Sequence, residues 1–272
     1  MDKIGIIGCG NMAEAIIKGL ISSGLYKPDR IMASDVRDER LRYIAEEYHI
    51  KTTTRNEELV AHARVLMICV KPQNVKAMLQ GIRGKTQDNS IVISIAAGIT
   101  TDYLSQSLSN CQIIRAMPNT PAMVDEGATA IYSANGSDAA VELALQLFAA
   151  VGRAVVVNQE HLIDAVTAIS GSGPAYFFVL MEEMVKAAVE MGIPVDIAEQ
   201  LVYQTAKGAG VLAKQAYVRG ESPAELRRKV TSPGGTTEAA IETFNKLGLG
   251  KVLFAGFECA RQRSIKLSQE AQ

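Results

Sequence analysis

The stretch Ile4-Gly-Ile-Ile-Gly8-Cys-Gly10-Asn-Met-Ala13 decides the fold, because an apolar run passes directly into a glycine-rich turn and a helical segment. Gly8 permits a tight turn, Gly10 removes a side chain where backbone approaches a ligand, and Ala13 keeps the helix close to the strand. Free N–H groups at a helix start attract a dianion. We interpret the stretch as the pyrophosphate grip of a dinucleotide-binding βαβ unit; a glycine-rich turn without a ligand is the alternative.

Strand-like and helical segments alternate up to about residue 160. Several of the apolar runs lack polar alternation, which is typical of strands buried on both faces of a parallel sheet. The predicted strands are Ile4–Ile7, Ile31–Ser34, Val65–Val70, Ile91–Ala96, Gln112–Met117, Ala128–Tyr132 and Ala154–Val157. The predicted helices are Ala13–Ser22, Asp38–Tyr48, Val75–Gly81, Thr101–Leu108 and Asp138–Val151. This alternation predicts a doubly wound α/β domain over residues 1–160.

Residues 161–272 contain no further convincing strand and predict an all-α oligomerisation domain. The segment Ala175–Met191 is apolar on nearly all sides and therefore needs to be buried on all sides. A small helical domain offers little interior for it, so we expect an obligate oligomer; the central helix of a monomeric bundle is the alternative. The predicted helices are His161–Ser170, Ala175–Met191, Val195–Ala216, Pro223–Lys229, Thr237–Leu247 and Lys251–Leu267.

Composition excludes several classes of function. The 272 residues carry 28 Lys and Arg against 29 Asp and Glu, a net charge of −1 that favours neither a nucleic-acid nor a membrane surface. The four cysteines and three histidines are scattered, so we expect no metal site. The uncharged run between Asp164 and Glu182 is expected to be too short and too broken to span a membrane. We expect no leader before the first strand and a cytoplasmic protein.

The ends of the predicted strands carry the candidate cofactor residues. After the second strand, Asp35 would accept hydrogen bonds from the ribose of NAD, whereas Arg37 would favour the phosphate of NADP, so the residues leave the cofactor open. Val70-Lys71-Pro72, Ala96-Ala97-Gly98 and Met117–Pro121 follow three further strands. Ligands of open α/β sheets lie at these ends, which predicts a nicotinamide-ribose pocket; ordinary turn chemistry is the alternative.

Two small-residue segments stand out in the second half. Ser232-Pro-Gly-Gly-Thr-Thr237 predicts a loop followed by a helix start, where N–H groups bind an anion and two hydroxyls meet a nitrogen. This suits an amino-acid-like ligand, although a plain helix cap fits equally well. Ser170–Tyr176 predicts either a close helix crossing or a place where the nicotinamide approaches.

Together these motifs resemble pyrroline-5-carboxylate reductases. The resemblance rests on Gly8–Ala13, Arg115–Pro121, Ser170–Tyr176 and Ser232–Thr237, and it runs essentially end to end. It implies a Rossmann-type domain followed by a helical dimerisation domain, assembled as a homodimer and often within a decamer. It also implies reduction of the cyclic imine 1-pyrroline-5-carboxylate to L-proline, the last step of proline biosynthesis, by NADPH or NADH.

The resemblance assigns roles to individual residues. The pyrophosphate would lie on Gly8, Gly10, Asn11 and Met12, and the adenosine ribose at Ser34, Asp35, Arg37 and Asn56. The nicotinamide ribose would lie between Val70, Lys71 and Pro72 on one side and Ala96, Ala97 and Gly98 on the other. The substrate carboxylate and ring nitrogen would be bound by Gly235, Thr236 and Thr237, with Glu221 nearby, and Thr237 is the candidate catalytic residue.

The sequence also allows two alternative functions. A β-hydroxyacid-type dehydrogenase also joins a Rossmann domain to helices, but it carries a Lys and an Asn after a Gly pair on one helix. Here the first Lys after Gly173 is Lys186, and no Asn follows until Asn245. The other rival is a nucleotide-binding protein without turnover, which would bind the cofactor but reduce no imine.

Overall fold

A computed structural model describes residues 2–270, in which eight strands and twelve α-helices are assigned. The strands are β1 (Ile4–Ile7), β2 (Ile31–Ser34), β3 (Lys51–Thr53), β4 (Val65–Ile68), β5 (Ile91–Ser94), β6 (Gln112–Met117), β7 (Gly127–Ser133) and β8 (Gly152–Val156). The helices are α1 (Asn11–Ser22), α2 (Asp38–Tyr48), α3 (Asn56–His62), α4 (Pro72–Ile82), α5 (Thr101–Ser105), α6 (Asp138–Ala149), α7 (Leu162–Val166), α8 (Gly173–Glu190), α9 (Val195–Val218), α10 (Pro223–Lys229), α11 (Thr236–Lys246) and α12 (Leu249–Glu270).

The strands form one sheet in the order β3-β2-β1-β4-β5-β6-β7-β8. All neighbours are parallel except β6 and β7, which pair antiparallel, so β7 and β8 run opposite to the other six strands. The chain order reverses beside β1, because β2 lies on one side of it and β4 on the other. The predicted doubly wound α/β fold is confirmed, with this antiparallel edge added.

Side chains from each central strand alternate between two buried layers. Val65 and Met67 of β4 pack into the layer under α1, α2 and α6, whereas Leu66 and Ile68 pack into the layer under α3, α4 and α5. A strand whose two faces are both covered needs apolar residues at every position, which explains the uninterrupted run. The sheet thus holds its glycine-rich and proline-rich ends in fixed positions.

Two elements were not predicted from the sequence. β3 has three residues and no apolar side chain, and α3 has seven residues, so neither offers a recognisable periodicity. Most other elements differ from the predictions by a few residues at their ends. The segment predicted as one helix, His161–Ser170, divides into α7 and a π-helical turn, Thr167–Gly171.

Contacts divide the chain into two compact units. Residues 2–174 and 258–270 form the first, and residues 175–257, which are helical, form the second. This division differs from the boundary predicted after residue 160, because α7 and the end of α12 are bonded within the sheet unit. Ser264 of α12 donates a 2.7 Å hydrogen bond to Asp164 of α7, and Glu160 just before α7 contacts β6. The domain boundary between residues 160 and 161 stays a prediction.

The helical run Leu162–Glu190 is longer than the sequence suggested. It extends over 29 residues, and its most apolar 18-residue window has a mean hydropathy of 1.3, so by length and composition alone it could cross a membrane. The core helix of a soluble protein can have the same length and composition, so the expectation that this run does not span a membrane stays a prediction. Little of its most apolar window is buried within the chain, which leaves an apolar surface to be covered.

Candidate functional site

The ends of β2, β1, β4 and β5 lie side by side at one edge of the sheet, because these four strands are parallel neighbours. Gly8 lies at the centre of this edge with a φ of +94°, and its N–H donates a 2.7 Å hydrogen bond to the carbonyl of Ser34. A Cβ atom on Gly8 would lie 2.9 Å from Val70. The structure therefore brings three of the predicted segments together around Gly8.

Gly10 precedes α1 and has different surroundings. Its N-cap position has no side-chain cap, and a Cβ atom built on it would meet no protein atom within 4 Å. Asn11 is exposed, and Met12 is partly buried against the core. An uncapped start of a 12-residue helix facing open space fits a dinucleotide pyrophosphate, which needs N–H donors and close backbone approach.

Cys9, between the two glycines, is held on both sides of its backbone. Its N–H donates to Asp35 at 2.8 Å, and its carbonyl accepts from Nε of Arg40 at 2.6 Å. Arg40 also pairs with Glu14 of α1, which accepts hydrogen bonds from two tyrosines of α2. Burial raises the pKa of the Cys9 thiol to about 12, so it stays protonated at neutral pH. The sequence did not reveal Arg40 or Glu14, because neither belongs to the glycine motif.

Ser34 and Asn56 meet at the end of β2. The Ser34 hydroxyl is buried and donates a 2.7 Å hydrogen bond to Oδ1 of Asn56, the first residue of α3. The two candidate ribose residues are therefore neighbours in the structure, although 22 residues separate them in the chain.

The ends of β4 and β5 supply the next part of the edge. Val70 is partly buried, and Lys71 is exposed at the N-cap of α4, whose first residue is Pro72. Beyond β5, Ala96 and Gly98 are buried and Ala97 is partly exposed. A Cβ atom on Gly98 would lie 3.0 Å from the backbone of Leu267, so this glycine is required by packing against α12.

The end of β6 contacts the π-helical turn. The Asn119 side chain accepts from the N–H of Ala128 at 2.8 Å and donates to the carbonyl of Ser170 at 3.1 Å. In the turn, the N–H of Ser172 donates to the carbonyl of Thr167 at 2.8 Å. Asn119 therefore has a structural role, and the Ser170–Gly171 region lies beside the last predicted strand end. π-Turns are frequent near functional sites.

A buried ion cluster below this edge was missed by the sequence analysis. Arg115 of β6 is almost fully buried and contacts Glu160 at 3.1 Å and Asp164 at 4.0 Å. Glu160 also accepts from the N–H and the hydroxyl of Thr101, at 2.8 and 2.6 Å. The cluster joins α5, α7 and β6 around one guanidinium. An arginine among the apolar residues of β6 was the one available signal.

The predicted substrate turn lies in the second unit. Gly235 is the N-cap of α11, which begins at Thr236, one residue earlier than predicted, and no side chain caps it. The N–H of Gly234 donates to Glu238 at 2.7 Å. Thr236 is exposed, and Thr237 is partly exposed. The turn thus presents uncapped N–H groups and two hydroxyls, the donors that a small anion with an adjacent nitrogen requires.

Glu221 lies between α9 and α10. Its carboxylate accepts from Nζ of Lys229 at 2.6 Å and from Nε of Arg219 at 3.4 Å. The hydrogen bond from Lys229 lowers the pKa of Glu221, with a smaller effect from Arg219. The structure therefore shows an ionised, ion-paired group, and its proposed contact with substrate stays a prediction.

Comparison with known protein families gives a match for each part of the chain. The family model described as pyrroline-5-carboxylate reductase dimerisation matches residues 160–267. A second model, described as NADP oxidoreductase, coenzyme F420-dependent, matches residues 3–98. The first match covers the helical residues, and the second covers the sheet edge around Gly8.

Similar proteins match over nearly the whole chain. A pyrroline-5-carboxylate reductase of Pseudomonas aeruginosa is 43% identical, covering 98% of this chain and 97% of the relative. One of Arabidopsis thaliana is 36% identical, covering 98% and 96%. A solved reductase from Coxiella burnetii has a TM-score of 0.91 at 36% identity, covering 98% of both chains. Plasmodium falciparum pyrroline carboxylate reductase with NADP bound gives 0.85 at 25% identity, also covering 98% of both. On this end-to-end similarity, the chain belongs to the pyrroline-5-carboxylate reductase family.

Proposed function

We propose that this chain catalyses the NADPH-dependent reduction of 1-pyrroline-5-carboxylate to L-proline, with NADH as the alternative reductant. The observation that carries the proposal is the full-length match to curated reductases, which includes both the glycine-rich edge and the turn before α11. The open space at Gly10 independently supports dinucleotide binding, because packing within the protein does not require glycine there.

The candidate cofactor residues lie next to one another along one edge of the sheet. Gly8, Gly10, Asn11 and Met12 would hold the pyrophosphate against the start of α1. Ser34, Asp35, Arg37 and Asn56 would surround the adenosine ribose at the end of β2. Val70, Lys71, Pro72, Ala96, Ala97 and Gly98 would flank the nicotinamide ribose. Their support is that β2, β1, β4 and β5 are adjacent and parallel.

The turn before α11 would hold the substrate. The uncapped N–H groups after Gly235 would bind the carboxylate, and the hydroxyls of Thr236 and Thr237 would face the ring nitrogen. Glu221 would lie nearby as an ionised group. In these assignments, backbone N–H donors bind the anionic carboxylate. A hydroxyl, which can donate or accept a hydrogen bond, binds the ring nitrogen.

The chemistry requires little from side chains. Reduced nicotinamide, when bound, supplies a hydride to the imine carbon. The turn residues orient the imine. The Thr237 hydroxyl forms a hydrogen bond to the ring nitrogen, which carries the proton. Alignment of this kind accounts for a large share of the barrier reduction in such reactions.

The helical part carries the family's dimerisation region, and we propose a homodimer that assembles further into a decamer. The support is the apolar surface of α8 and α9, where Phe177, Leu180 and Leu201 are all more than half exposed in the single chain. Covering this surface in a subunit interface also accounts for the apolar run Leu162–Glu190. We therefore assign the run to subunit contact in a cytoplasmic enzyme.

The first experiment mixes the protein with 1-pyrroline-5-carboxylate and either reduced cofactor, and follows the loss of reduced-nicotinamide absorbance. We expect turnover that depends on the imine and forms proline. Cofactor binding without turnover at saturating imine would contradict the proposal and favour a nucleotide-binding protein. Oxidation of a hydroxy acid with NAD would instead favour a dehydrogenase.

Thr237→Ala tests the substrate assignment. Loss of one hydrogen bond to the reacting nitrogen is worth about 1–3 kcal/mol, so we expect kcat/KM for the imine to fall by about ten- to hundredfold. NADP⁺ affinity should stay nearly unchanged. Thr237→Ser should retain most activity, and Thr243→Ala is a matched control because that hydroxyl bonds to its own helix. An unchanged kcat and KM in Thr237→Ala would refute the assignment.

A further inference from the structure

The carboxylate of Asp35 is already saturated with donors. Oδ1 accepts from the backbone N–H and from Nε of Arg37, both at 3.0 Å. Oδ2 accepts from the N–H of Cys9 at 2.8 Å and from Nη2 of Arg37 at 3.1 Å. A carboxylate offers about four lone-pair sites, so these bonds leave none for ribose hydroxyls. Only 8% of the Asp35 side chain is exposed.

The ionisation of Asp35 agrees with this arrangement. Burial raises the pKa of its carboxyl, but the hydrogen bonds from Arg37 and from the N–H of Cys9 outweigh burial and hold the pKa below its ordinary value. The carboxylate is therefore charged at neutral pH, and the charge is directed into the glycine-rich loop. Its role in the structure is to fix the Cys9 peptide between Gly8 and Gly10.

Arg37 presents the opposite charge to solvent. Its side chain is 59% exposed, and the pair with Asp35 uses Nε and Nη2, which leaves the Nη1 edge for an anion from solution. A planar guanidinium binds phosphate through parallel N–H donors, and here the carboxylate holds it in one orientation. The charge exposed at the end of β2 is thus positive, although an aspartate occupies the expected acceptor position.

We propose that Asp35 is a positioning residue of the glycine-rich loop, not a ribose acceptor, and that Arg37, oriented by Asp35, binds the 2′-phosphate of NADPH and sets the cofactor preference. This inference rests on the proposed dinucleotide use and adds the selectivity determinant. A conventional interpretation of Asp35 makes the opposite prediction, because a ribose-binding carboxylate repels that phosphate.

The test measures binding without turnover. Adenosine 2′,5′-bisphosphate and adenosine 5′-monophosphate are titrated calorimetrically into the purified protein and its variants. Arg37→Gln should weaken the bisphosphate by about ten- to hundredfold, the range for charge-assisted bonds, and leave the monophosphate within about twofold. Arg37→Lys should recover part of the loss. Arg42→Gln removes an exposed charge from the same helix α2 region and should change neither probe selectively.

Asp35→Ala separates the two interpretations. We expect it to weaken the bisphosphate at least as much as the monophosphate, because release of the Cys9 N–H affects both probes and release of the Arg37 fork affects only the bisphosphate. Asp35→Asn should restore monophosphate binding more than bisphosphate binding, since an amide oxygen still accepts from Cys9. The ratio of kcat/KM for NADPH to that for NADH should fall in Arg37→Gln and not rise in Asp35→Ala.

Two results would overturn the inference. One is a gain in bisphosphate binding relative to monophosphate in Asp35→Ala, which would make Asp35 a ribose acceptor. The other is unchanged selectivity in Arg37→Gln. The expected probe pattern without imine reduction would support this inference while contradicting the proposed substrate. Failure of the unchanged protein to bind either probe would overturn dinucleotide use and this inference together.

Discussion

Gly8 and Gly10 lie two residues apart in the turn between β1 and α1, and their surroundings differ. A side chain on Gly8 would contact Cys69 and Val70, just after β4, and would require a left-handed backbone conformation, whereas one on Gly10 would meet open space. Gly8→Ala should therefore destabilise folding, by about 1–3 kcal/mol. Gly10→Ala should change the free energy of unfolding by less than about 1 kcal/mol. Its NADP⁺ affinity should fall at least about tenfold, because its Cβ enters the approach to the pyrophosphate.

Urea unfolding and calorimetric NADP⁺ titration of both variants separate these effects. The two glycines act as controls for each other, since the same substitution is made two residues apart. Normal NADP⁺ affinity in a folded Gly10→Ala variant would show that the pyrophosphate does not bind at this turn.

Glu14 gives the loop a pH-dependent contribution to stability. Burial raises the pKa of its carboxyl, but hydrogen bonds from Arg40, Tyr43 and Tyr48 outweigh burial and lower the pKa in the folded protein. The resulting stabilisation is complete above the unfolded pKa of about 4.3 and is lost as pH falls through the folded value.

The Glu14→Gln variant should therefore be less stable than the parent at about pH 7, and the difference should shrink towards about pH 3. Thermal or urea unfolding across this range measures the difference. Glu46→Gln, which removes an exposed carboxylate of α2, is the reference. A difference that stays constant over the range would show that Glu14 does not act through its charge.

Among the elements, β6, α5, α7 and α12 depend on a single buried guanidinium. Removing Arg115 leaves Glu160 and Asp164 without a counter-charge in a poorly solvated site. Breaking a buried ion pair in this way costs about 3–5 kcal/mol, so Arg115→Met should lose that much stability in urea. Ser264→Ala removes one hydrogen bond to Asp164 and should cost about 1 kcal/mol.

The combination Arg115→Met, Glu160→Gln and Asp164→Asn should recover part of the lost stability, because it leaves no uncompensated charge. This control distinguishes the charge effect from simple loss of packing. An Arg115→Met variant as stable as the parent would mean that the cluster does not hold these helices to the sheet.

The central strands were predictable because they are apolar and buried. β1, β2 and β6 were predicted with their observed ends, since an apolar run bounded by glycine, proline or charge defines a strand covered on both faces. β3 was missed because an edge strand of three residues carries no apolar pattern. The orientation of β7 was also hidden, because pairing direction depends on which strands meet in space.

The candidate site, like the fold, was predictable in part from the sequence. Strand ends marked by Gly8, Val70 and Gly98 revealed the sheet edge, because turns impose their chemistry locally. The ion cluster was not visible, since Asp164 and Ser264 are 100 residues apart in the chain. Nor could the sequence resolve the opposition of Asp35 and Arg37, because it does not show that they bond to each other.

At the scale of the whole molecule, the second unit exposes more apolar surface than an isolated subunit usually does. Phe177, Leu180 and Met184 lie on one side of α8, at three- and four-residue spacing, and are 64, 56 and 40% exposed. A groove of about 880 Å³ between α8 and α9 continues this surface and is lined by Phe178, Met181, Val185, Val189 and Tyr203. Burial of each large apolar side chain contributes about 1.5–3 kcal/mol, so association is strongly favoured.

Leu180→Glu places a charge in the middle of this surface. Because burial of an unpaired carboxylate is costly, the variant should dissociate into subunits of 29.2 kDa, whereas the parent should be a multiple of that mass by light scattering. Glu183→Gln, on the same helix and already exposed, should keep the parent's mass. If imine reduction needs the assembled helices, activity should fall as the oligomer dissociates and should recover at high protein concentration, where the subunits reassociate. A fully assembled Leu180→Glu protein would move the subunit interface away from α8.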